Sequence, residues 1–339
     1  MKRFFALIVL SLYLVSARPR LQRYTAAFWG SFDTVVVITA YSASQRQFDV
    51  AFEAAVNSFS EADIYYDRFS YSEEIANMAY INRHAAERET AVDERLFSLL
   101  KYGIDGAYRT EGLVDMTFGA VSSVWYAEVE KGEFTCVPPP DLLQKVNRHT
   151  GIENVLINEG DKTVKLLNDG VMIDAGAFAK GYAVEEAAEI LVRSGHNRAA
   201  ISGGGNIKTL DPPDGKQKWS IGIQHPDAAV MQADGSIETV YINGMSVATS
   251  GDYQRYFVSG GKRYHHLIDP ETLYPADYFR SVTVVCENAA DADLFSTALF
   301  LCDMEKGKAM AEKEKLAVLW VAHDGKTEIN SRMKKLIEK

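Results

Sequence analysis

The sequence predicts an α+β fold of mixed sheets with flanking helices, with a functional cleft built from both halves of the chain. Three observations carry this. Runs rich in β-branched residues, such as FDTVVVITAY (Phe32 to Tyr41), SVTVVC (Ser281 to Cys286) and LAVLWVA (Leu316 to Ala322), read as strands. Between such runs lie stretches whose apolar residues recur at helical spacing. No internal repeat or low-complexity stretch interrupts the mixture, and 339 residues with 47% apolar content can bury a sizeable core.

Taken in order, Phe48 to Ala62 places Phe52, Ala55, Val56 and Phe59 on one helical face, and Arg95 to Tyr108 reads as a second helix. Glu111 to Trp125 follows, and VPPPD (Val137 to Asp141) breaks the chain. NVLINEG, DKTVKLLNDG and VMIDAG read as short strands with glycine turns. Val184 to Arg193 is an amphipathic helix stopped by Gly195. AAISGGGN is a strand running into glycines, and WSIGIQHP is another strand. SVTVVC and LAVLWVA flank a helix over Ala290 to Leu301.

The N-terminus reads as an export signal over residues 1–17. Lys2 and Arg3 precede an apolar run from Phe4 to Val15, and Val15-Ser16-Ala17 offers small residues for cleavage. The run is short for a spanning helix, which needs about 20 residues, so an uncleaved anchor is the alternative. Residues 18–23 form a linker and 24–339 the folded domain. The expected location is the extracytoplasmic face of the cell membrane or the periplasm.

A net charge of -10 and the lack of any Lys/Arg run argue against nucleic acid as a partner. An acidic protein that binds an anionic ligand needs a metal, backbone N–H groups or a few placed cations. Three scattered cysteines, Cys136, Cys286 and Cys302, give neither a disulfide framework nor zinc spacing. Cys286 and Cys302 read as buried small hydrophobes.

Three segments place polar residues where a plain core would be apolar: IDAGAFAKGYA (Ile173 to Ala183), TSGDYQRYF with HHLIDP (Thr249 to Phe257, His265 to Pro270), and DADLFST (Asp291 to Thr297). On a helix, Asp293 and Thr297 share a face, so a carboxylate and a hydroxyl can meet one hard cation. Spacing alone favours Asp291 or Asp293 as a cap on the helix dipole. Lys180 can meet a phosphate or ring carbonyl, or simply be a solvated lysine after a strand-to-helix turn. SGGGN fails as a dinucleotide fingerprint because KTLDPPDG, not a helix, follows it. His265 and His266 stand in tandem before an apolar-Asp-Pro turn, and an imidazole near neutrality suits proton abstraction from a hydroxyl.

Read together and in this order, the segments resemble the ApbE family of FAD:protein FMN transferases. AFWGSFDT (Ala27 to Thr34) resembles the family's opening motif. DMT with Gly119, Val124 and Trp125 resembles its Asp-x-Thr-x-Gly-x-x-x-x-x-Trp stretch, and IDAGAFAKGYA, SGGGN, VATSGDYQRYF, HHLIDPETLYPA and ADLFSTALF follow. The likeness covers nearly all of the chain from about Tyr24. It implies a flavin cleft, FAD as substrate, and Mg²⁺ held by the Asp293 and Thr297 side chains and the Ala177 carbonyl. It implies FAD contacts at Trp29, Gly30, Ser31, Tyr71, Asp115, Met116, Thr117, Asp174, Lys180, Leu267 and Ile268. His266, or a carboxylate such as Asp252, is the expected base.

The implied reaction moves FMN from FAD to a Thr or Ser hydroxyl of an acceptor and releases AMP. The implied acceptor carries an Asp-x-x-Thr/Ser-type motif, in a redox-complex subunit or extracellular reductase. An Mg²⁺-dependent FAD pyrophosphatase and a non-catalytic exported flavin-binding protein are the alternatives. Departures are Trp29 for Met, Ser31 for Thr, Glu185 for Asp, and Leu273 for a turn glycine, which implies a different turn. No cysteine precedes Cys136, so a lipid-modified cysteine behind the leader is not expected.

Overall fold

The computed structural model describes residues 21–131, 135–212, 218–228 and 235–338. The expected export signal lies outside these residues. In chain order the strands and helices are β1 (Gln22–Ser31), β2 (Thr34–Ser42), α1 (Gln45–Tyr66), α2 (Met78–His84), β3 (Thr90–Ala91), α3 (Glu94–Arg109), α4 (Gly119–Glu130), α5 (Pro140–Asn147), β4 (Val155–Asn158), β5 (Thr163–Leu166) and α6 (Ala179–Arg193). Then come β6 (Ala199–Gly203), β7 (Asn206–Thr209), β8 (Trp219–Gln224), β9 (Ser236–Ile242), β10 (Ser246–Gly251), β11 (Tyr256–Ser259), β12 (Lys262–His265), β13 (Ser281–Cys286), α7 (Ala289–Phe300), α8 (Met304–Lys313), β14 (Ala317–Val321), β15 (Thr327–Ile329) and α9 (Ser331–Ile337). The architecture is α+β, as expected.

An antiparallel sheet of eight strands, ordered β1-β2-β6-β7-β10-β13-β14-β15, forms the centre. Helices α1, α6 and α7 lie side by side on one face. The β8–β9 hairpin and α9 cover the β10, β13 and β14 region on the other. Strand alternation explains how one run serves both layers. Val282, Val284, Val318 and Trp320 enter the helical core, while Val285, Ala317, Leu319 and Val321 enter the second core. Burial on both faces is why SVTVVC and LAVLWVA are continuously apolar. None of the described helices is long and apolar enough to cross a membrane.

A smaller cluster joins Val121 and Trp125 of α4 and Leu143 of α5 to Phe257, Ile268 and Leu273. Trp125 stacks on Phe257 and Tyr264, and its indole N–H donates to the Leu273 carbonyl at 3.1 Å. This unit carries α4 and the β11–β12 hairpin to the mouth of a cavity. Leu273 takes a left-handed backbone, φ 64, and is 6% exposed. The expectation of a different turn is therefore corrected. Leucine keeps a glycine-like conformation, and burial of its side chain offsets a strain of about 1–2 kcal/mol.

Other expectations need correction. The sheet begins at Gln22, so the end of the expected linker is strand. The run from Phe32 is not all strand: Phe32 and Asp33 sit at φ 53 and 51 and turn β1 into β2. Such turns ordinarily use Asn-Gly, so the hairpin leaves no usual sequence signal. VMIDAG contributes only one bridge, Phe118 to Met172. Helix α6 starts at Ala179, not Val184, which places Lys180 and Gly181 in its first turn. Its end is as expected: Gly195 at φ 80 closes it, with His196 N–H on the Leu191 carbonyl and Gly195 N–H on that of Val192.

Candidate active site

A cavity of about 270 Å³ opens between the helical face of the main sheet and the smaller cluster. Its lining draws on both halves of the chain. Asp115, Phe118, Ser122, Tyr126 and Gly151 come from the first; Asp174, Ala177, Lys180, Ser250, His266, Leu267, Ile268, Asp293 and Thr297 come from the second. Nine of the expected site residues therefore meet, although they span positions 115 to 297. Among the described residues, Lys180 is the only Lys or Arg in the lining, against the carboxylates of Asp115, Asp174 and Asp293. An acidic wall of this kind does not hold a diphosphate by its side chains alone.

Asp293 and Thr297 lie on successive turns of α7 and are 6% and 8% exposed. The capping role falls to Asn288, whose side chain accepts the Ala290 and Asp291 N–H groups. Asp291 instead turns away to Arg109 at 2.8 Å and Tyr102 at 2.7 Å. Asp293 accepts the Gly181 N–H at 2.9 Å, an α6-to-α7 contact that only a glycine permits. Burial pushes the Asp293 carboxyl up; Lys180, acting at a distance, and the Gly181 N–H oppose it. Thr297 shares a hydroxyl contact with Ser250, 3.2 Å away.

The chemistry of this donor set fits a divalent cation. A buried carboxylate with no ion pair among the described residues is costly unless a cation joins it. Thr297 and Ala177 line the same cavity and offer a hydroxyl and a backbone oxygen. They suit a hard ion such as Mg²⁺. No group of three His, Cys, Asp or Glu side chains suited to a metal occurs among the described residues. One carboxylate leaves room for phosphate oxygens and water, the usual mode for Mg²⁺.

The tandem histidines face different ways. His265 is 6% exposed; its Nε2–H donates to the Ala276 carbonyl at 2.9 Å, and its Nδ1 accepts the Leu267 N–H at 3.2 Å. Both nitrogens are committed, and burial pushes its pKa down. His266 lines the cavity, and its Nδ1 lies 3.2 Å from the Arg255 carbonyl. A carbonyl only accepts, so Nδ1 carries the proton and the Nε2 lone pair is left available. Burial first, then Lys180 and His265, push its pKa down to about 3.

Asp115 and Asp174 form the opposite wall. The Thr117 hydroxyl and N–H both donate to Asp115, at 2.7 and 2.8 Å, and the same hydroxyl accepts the Gly151 N–H at 2.7 Å. Burial nevertheless raises the Asp115 pKa. Thr117 is fully buried and acts as a brace outside the lining. Met116 likewise sits in the core, its carbonyl accepting the Asp174 N–H at 2.7 Å. Asp174 accepts Ser122 Oγ at 2.9 Å and the Gly176 N–H at 2.8 Å.

Five further expectations are not brought to the cavity. Trp29 is 72% exposed on β1, Gly30 sits at φ 126, and Ser31 is buried at the hairpin end. Their nearest link is Gly204 in the lining, whose N–H donates to the Val35 carbonyl at 3.3 Å. Tyr71 stacks on Tyr80, and its hydroxyl meets His84 Nε2 at 3.0 Å. The aromatic of that loop that touches a cavity residue is Phe69, edge-on to Tyr126. Ser122 and Tyr126 carried no sequence signal, because AVSSVWYAEVE reads as an ordinary helix.

The fifth, Asp252, points into a separate surface recess and is clamped by Arg280 at 2.9 Å and Arg263 at 3.4 Å. A carboxylate held by two guanidinium groups is a strut, not a base. Asp252→Ala should lower unfolding free energy by about 1–2 kcal/mol, since it removes the carboxylate shared by Arg263 and Arg280 and leaves Arg280 only the more exposed Asp227. Urea unfolding measures this; a loss of turnover with unchanged stability would restore Asp252 as the base.

Comparison with known proteins now adds to this geometry. The sequence profile of the ApbE family matches residues 32–320. The chain belongs to the ApbE family. A Klebsiella pneumoniae protein named FAD:protein FMN transferase is 29% identical over 304 residues, 89% of each chain. One of that name from Haemophilus influenzae is 32% identical over 236 residues, 68% of this chain and 67% of its own. The crystal structure of the Thermotoga maritima ApbE protein superposes with a TM-score of 0.82 at 32% identity, covering 94% of this chain and all of its own (100%). Flavin transferase ApbE from Vibrio cholerae gives 0.77 at 25% identity, covering 93% and 99%.

Proposed function

We propose that this ApbE-family protein transfers the FMN moiety of FAD to a Thr or Ser hydroxyl of an acceptor protein and releases AMP. The observation that carries the reading is the juxtaposition, in one cavity, of an available His266 Nε2 with Lys180, Asp293 and Thr297. Membership of a family whose curated relatives are named for this transfer supports it. Asp293, Thr297 and the Ala177 carbonyl would hold Mg²⁺, which would neutralise charge on the diphosphate and on the departing AMP. Lys180 adds a cationic side chain to the wall.

In the transfer, the acceptor oxygen bonds to the FMN phosphorus as the anhydride bond breaks, AMP leaves with the bridging oxygen, and the hydroxyl proton passes to His266 Nε2. The depressed pKa keeps this nitrogen unprotonated across the working range. The negative diphosphate beside it strengthens its basicity when substrate is bound. Two consequences follow. His266→Ala should cut turnover by about 10²-fold or more with FAD still bound. The free enzyme should show no acid limb near pH 6.5 from this residue, so kcat/KM stays flat there. A limb near 6.5 that disappears in the alanine variant would contradict the tautomer and burial described above.

The acceptor proposed is an exported redox protein with an Asp-x-x-Thr/Ser-type segment, because the basic start and apolar run before Arg18 mark this chain for export. The test is incubation of residues 18–339 with FAD, Mg²⁺ and an acceptor domain. AMP together with an FMN-sized mass gain on the acceptor supports transfer. AMP with free FMN and no adduct supports a pyrophosphatase, and bound FAD with no AMP a flavin carrier.

A further inference from the structure

Arg68 lies outside the cavity lining and outside the segments with a functional reading, yet it touches two residues of the lining, Asp174 and Tyr126. Its side chain is 5% exposed. The guanidinium is enclosed by two rings, 4.6 Å from the centroid of Phe69 and 5.0 Å from that of Tyr126. Its Nη1 donates to the Gly119 carbonyl and to Ser123 Oγ, both at 3.1 Å, and lies 3.5 Å from Asp174 Oδ2. Its Nη2 is buried and has no hydrogen-bond partner. Such a group is costly, and its retention calls for a reason.

The reason is what the guanidinium joins. Gly119 begins α4, and its missing side chain lets it lie on the Met172 carbonyl. Tyr126 and Ser122, one turn apart on the same helix, line the cavity, and Asp174 lines it from the next segment. Arg68 thus ties the loop after α1 to the start of α4 and to the chain at 172–174. Among the described residues, Asp174 is its only carboxylate partner within ion-pair range. In a wall already bearing Asp115 and Asp293, that contact holds the Asp174 side chain in place.

Resting on the FAD reading above, we infer that Arg68 is a positioning residue. It holds Asp174 as a hydrogen-bond acceptor for an N–H or O–H donor of FAD, a heterocycle N–H or a sugar hydroxyl. Phosphate is ruled out as the group at Asp174 because two anions would face one another. The role therefore falls on affinity for FAD, not on bond breaking.

The experiment is a double-mutant cycle of Arg68→Met and Asp174→Asn in the protein from residue 18, with Arg68→Lys as the conservative variant. Flavin fluorescence gives the FAD Kd with Mg²⁺ present, AMP release gives kcat and KM, and thermal unfolding reports the fold. Arg68→Met should weaken FAD binding about tenfold, with kcat at saturating FAD within about threefold of wild type. The double variant should bind no more weakly than Asp174→Asn alone, and lysine should recover part of the loss. Additive effects in the cycle, or wild-type affinity in folded Arg68→Met, overturn the inference and leave Arg68 a structural residue. Wild-type protein that fails to bind FAD overturns the parent reading and this one together. FAD binding without AMP overturns only the transfer, and the cycle in Kd still decides Arg68.

Discussion

Asp293→Asn is expected to stabilise the metal-free protein while removing its catalysis. The wild-type carboxyl is buried on α7 without an ion pair, and burial raises its pKa. Asparagine keeps the shape and can still accept the Gly181 N–H, but carries no charge. Removing an uncompensated buried charge should gain about 1–3 kcal/mol, a few degrees in thermal midpoint. The sign with pH follows from linkage. Between the ordinary Asp value, near 3.9, and the higher folded value, the folded protein holds a proton that the unfolded chain has released. Wild type therefore loses stability as pH rises through that window, and the advantage of the variant grows with pH and vanishes in acid. Added Mg²⁺ should raise the midpoint of wild type and not of Asp293→Asn, and turnover should fall by about 10²–10³-fold. A variant that is less stable than wild type at pH 8 without metal, or that keeps its Mg²⁺ response, would show that this carboxylate is not the cation site.

Much of the cavity wall was legible in sequence because it uses residues of unusual identity in apolar surroundings, whereas the cation role of Asp293 and Thr297 came from the family resemblance and not from their spacing. Asp293, Thr297, Lys180, His266 and Asp174 each interrupt a run whose neighbours are core, and a side chain out of keeping with its surroundings is visible without a structure. Residues that act through backbone or through another side chain are not. The Arg255 carbonyl orients His266 and Arg68 holds Asp174, and neither departs from what a loop or helix ordinarily carries. Asp252 shows the converse. Beside Gly251 and Arg255 it reads as a reacting group, and only the positions of Arg263 and Arg280, distant by 11 and 28 residues, reveal a strut.

The fold followed the same division. Strands β13 and β14 were legible because both faces are buried. The β1–β2 hairpin was missed because Phe32-Asp33 takes a turn that ordinarily selects Asn and Gly. The segment IDAGAFAKGYA resembles a flavin-binding motif. At Gly181 the close approach is between two helices.

That crossing sets the second large effect. A β-carbon on Gly181 would overlap the Ala289 carbonyl oxygen and come within 2.6 Å of the Asp293 β-carbon. Neither can yield cheaply, because Ala289 N–H is already tied to Glu185 at 2.6 Å and Glu185 to Lys208 at 2.9 Å, which fixes the start of α7. Gly181→Ala should therefore push α6 and α7 apart, lengthen the N–H contact to Asp293 and cost about 2–4 kcal/mol despite the better helix propensity of alanine. A shift of the order of 1 Å at Asp293 should lower turnover by about 10²-fold, well beyond what the stability loss explains in protein that remains folded. The control is Gly307→Ala in α8. Its β-carbon would meet Trp320, Cys302 and Leu299 at 3.6 to 3.8 Å, ordinary contact distances. There the same substitution should stabilise by about 0.5–1 kcal/mol and leave turnover unchanged. Urea unfolding of the two variants, with AMP release measured on each, should thus give opposite signs for one chemical change. Equal effects would mean that the α6–α7 contact at Gly181 does not set the geometry of the site.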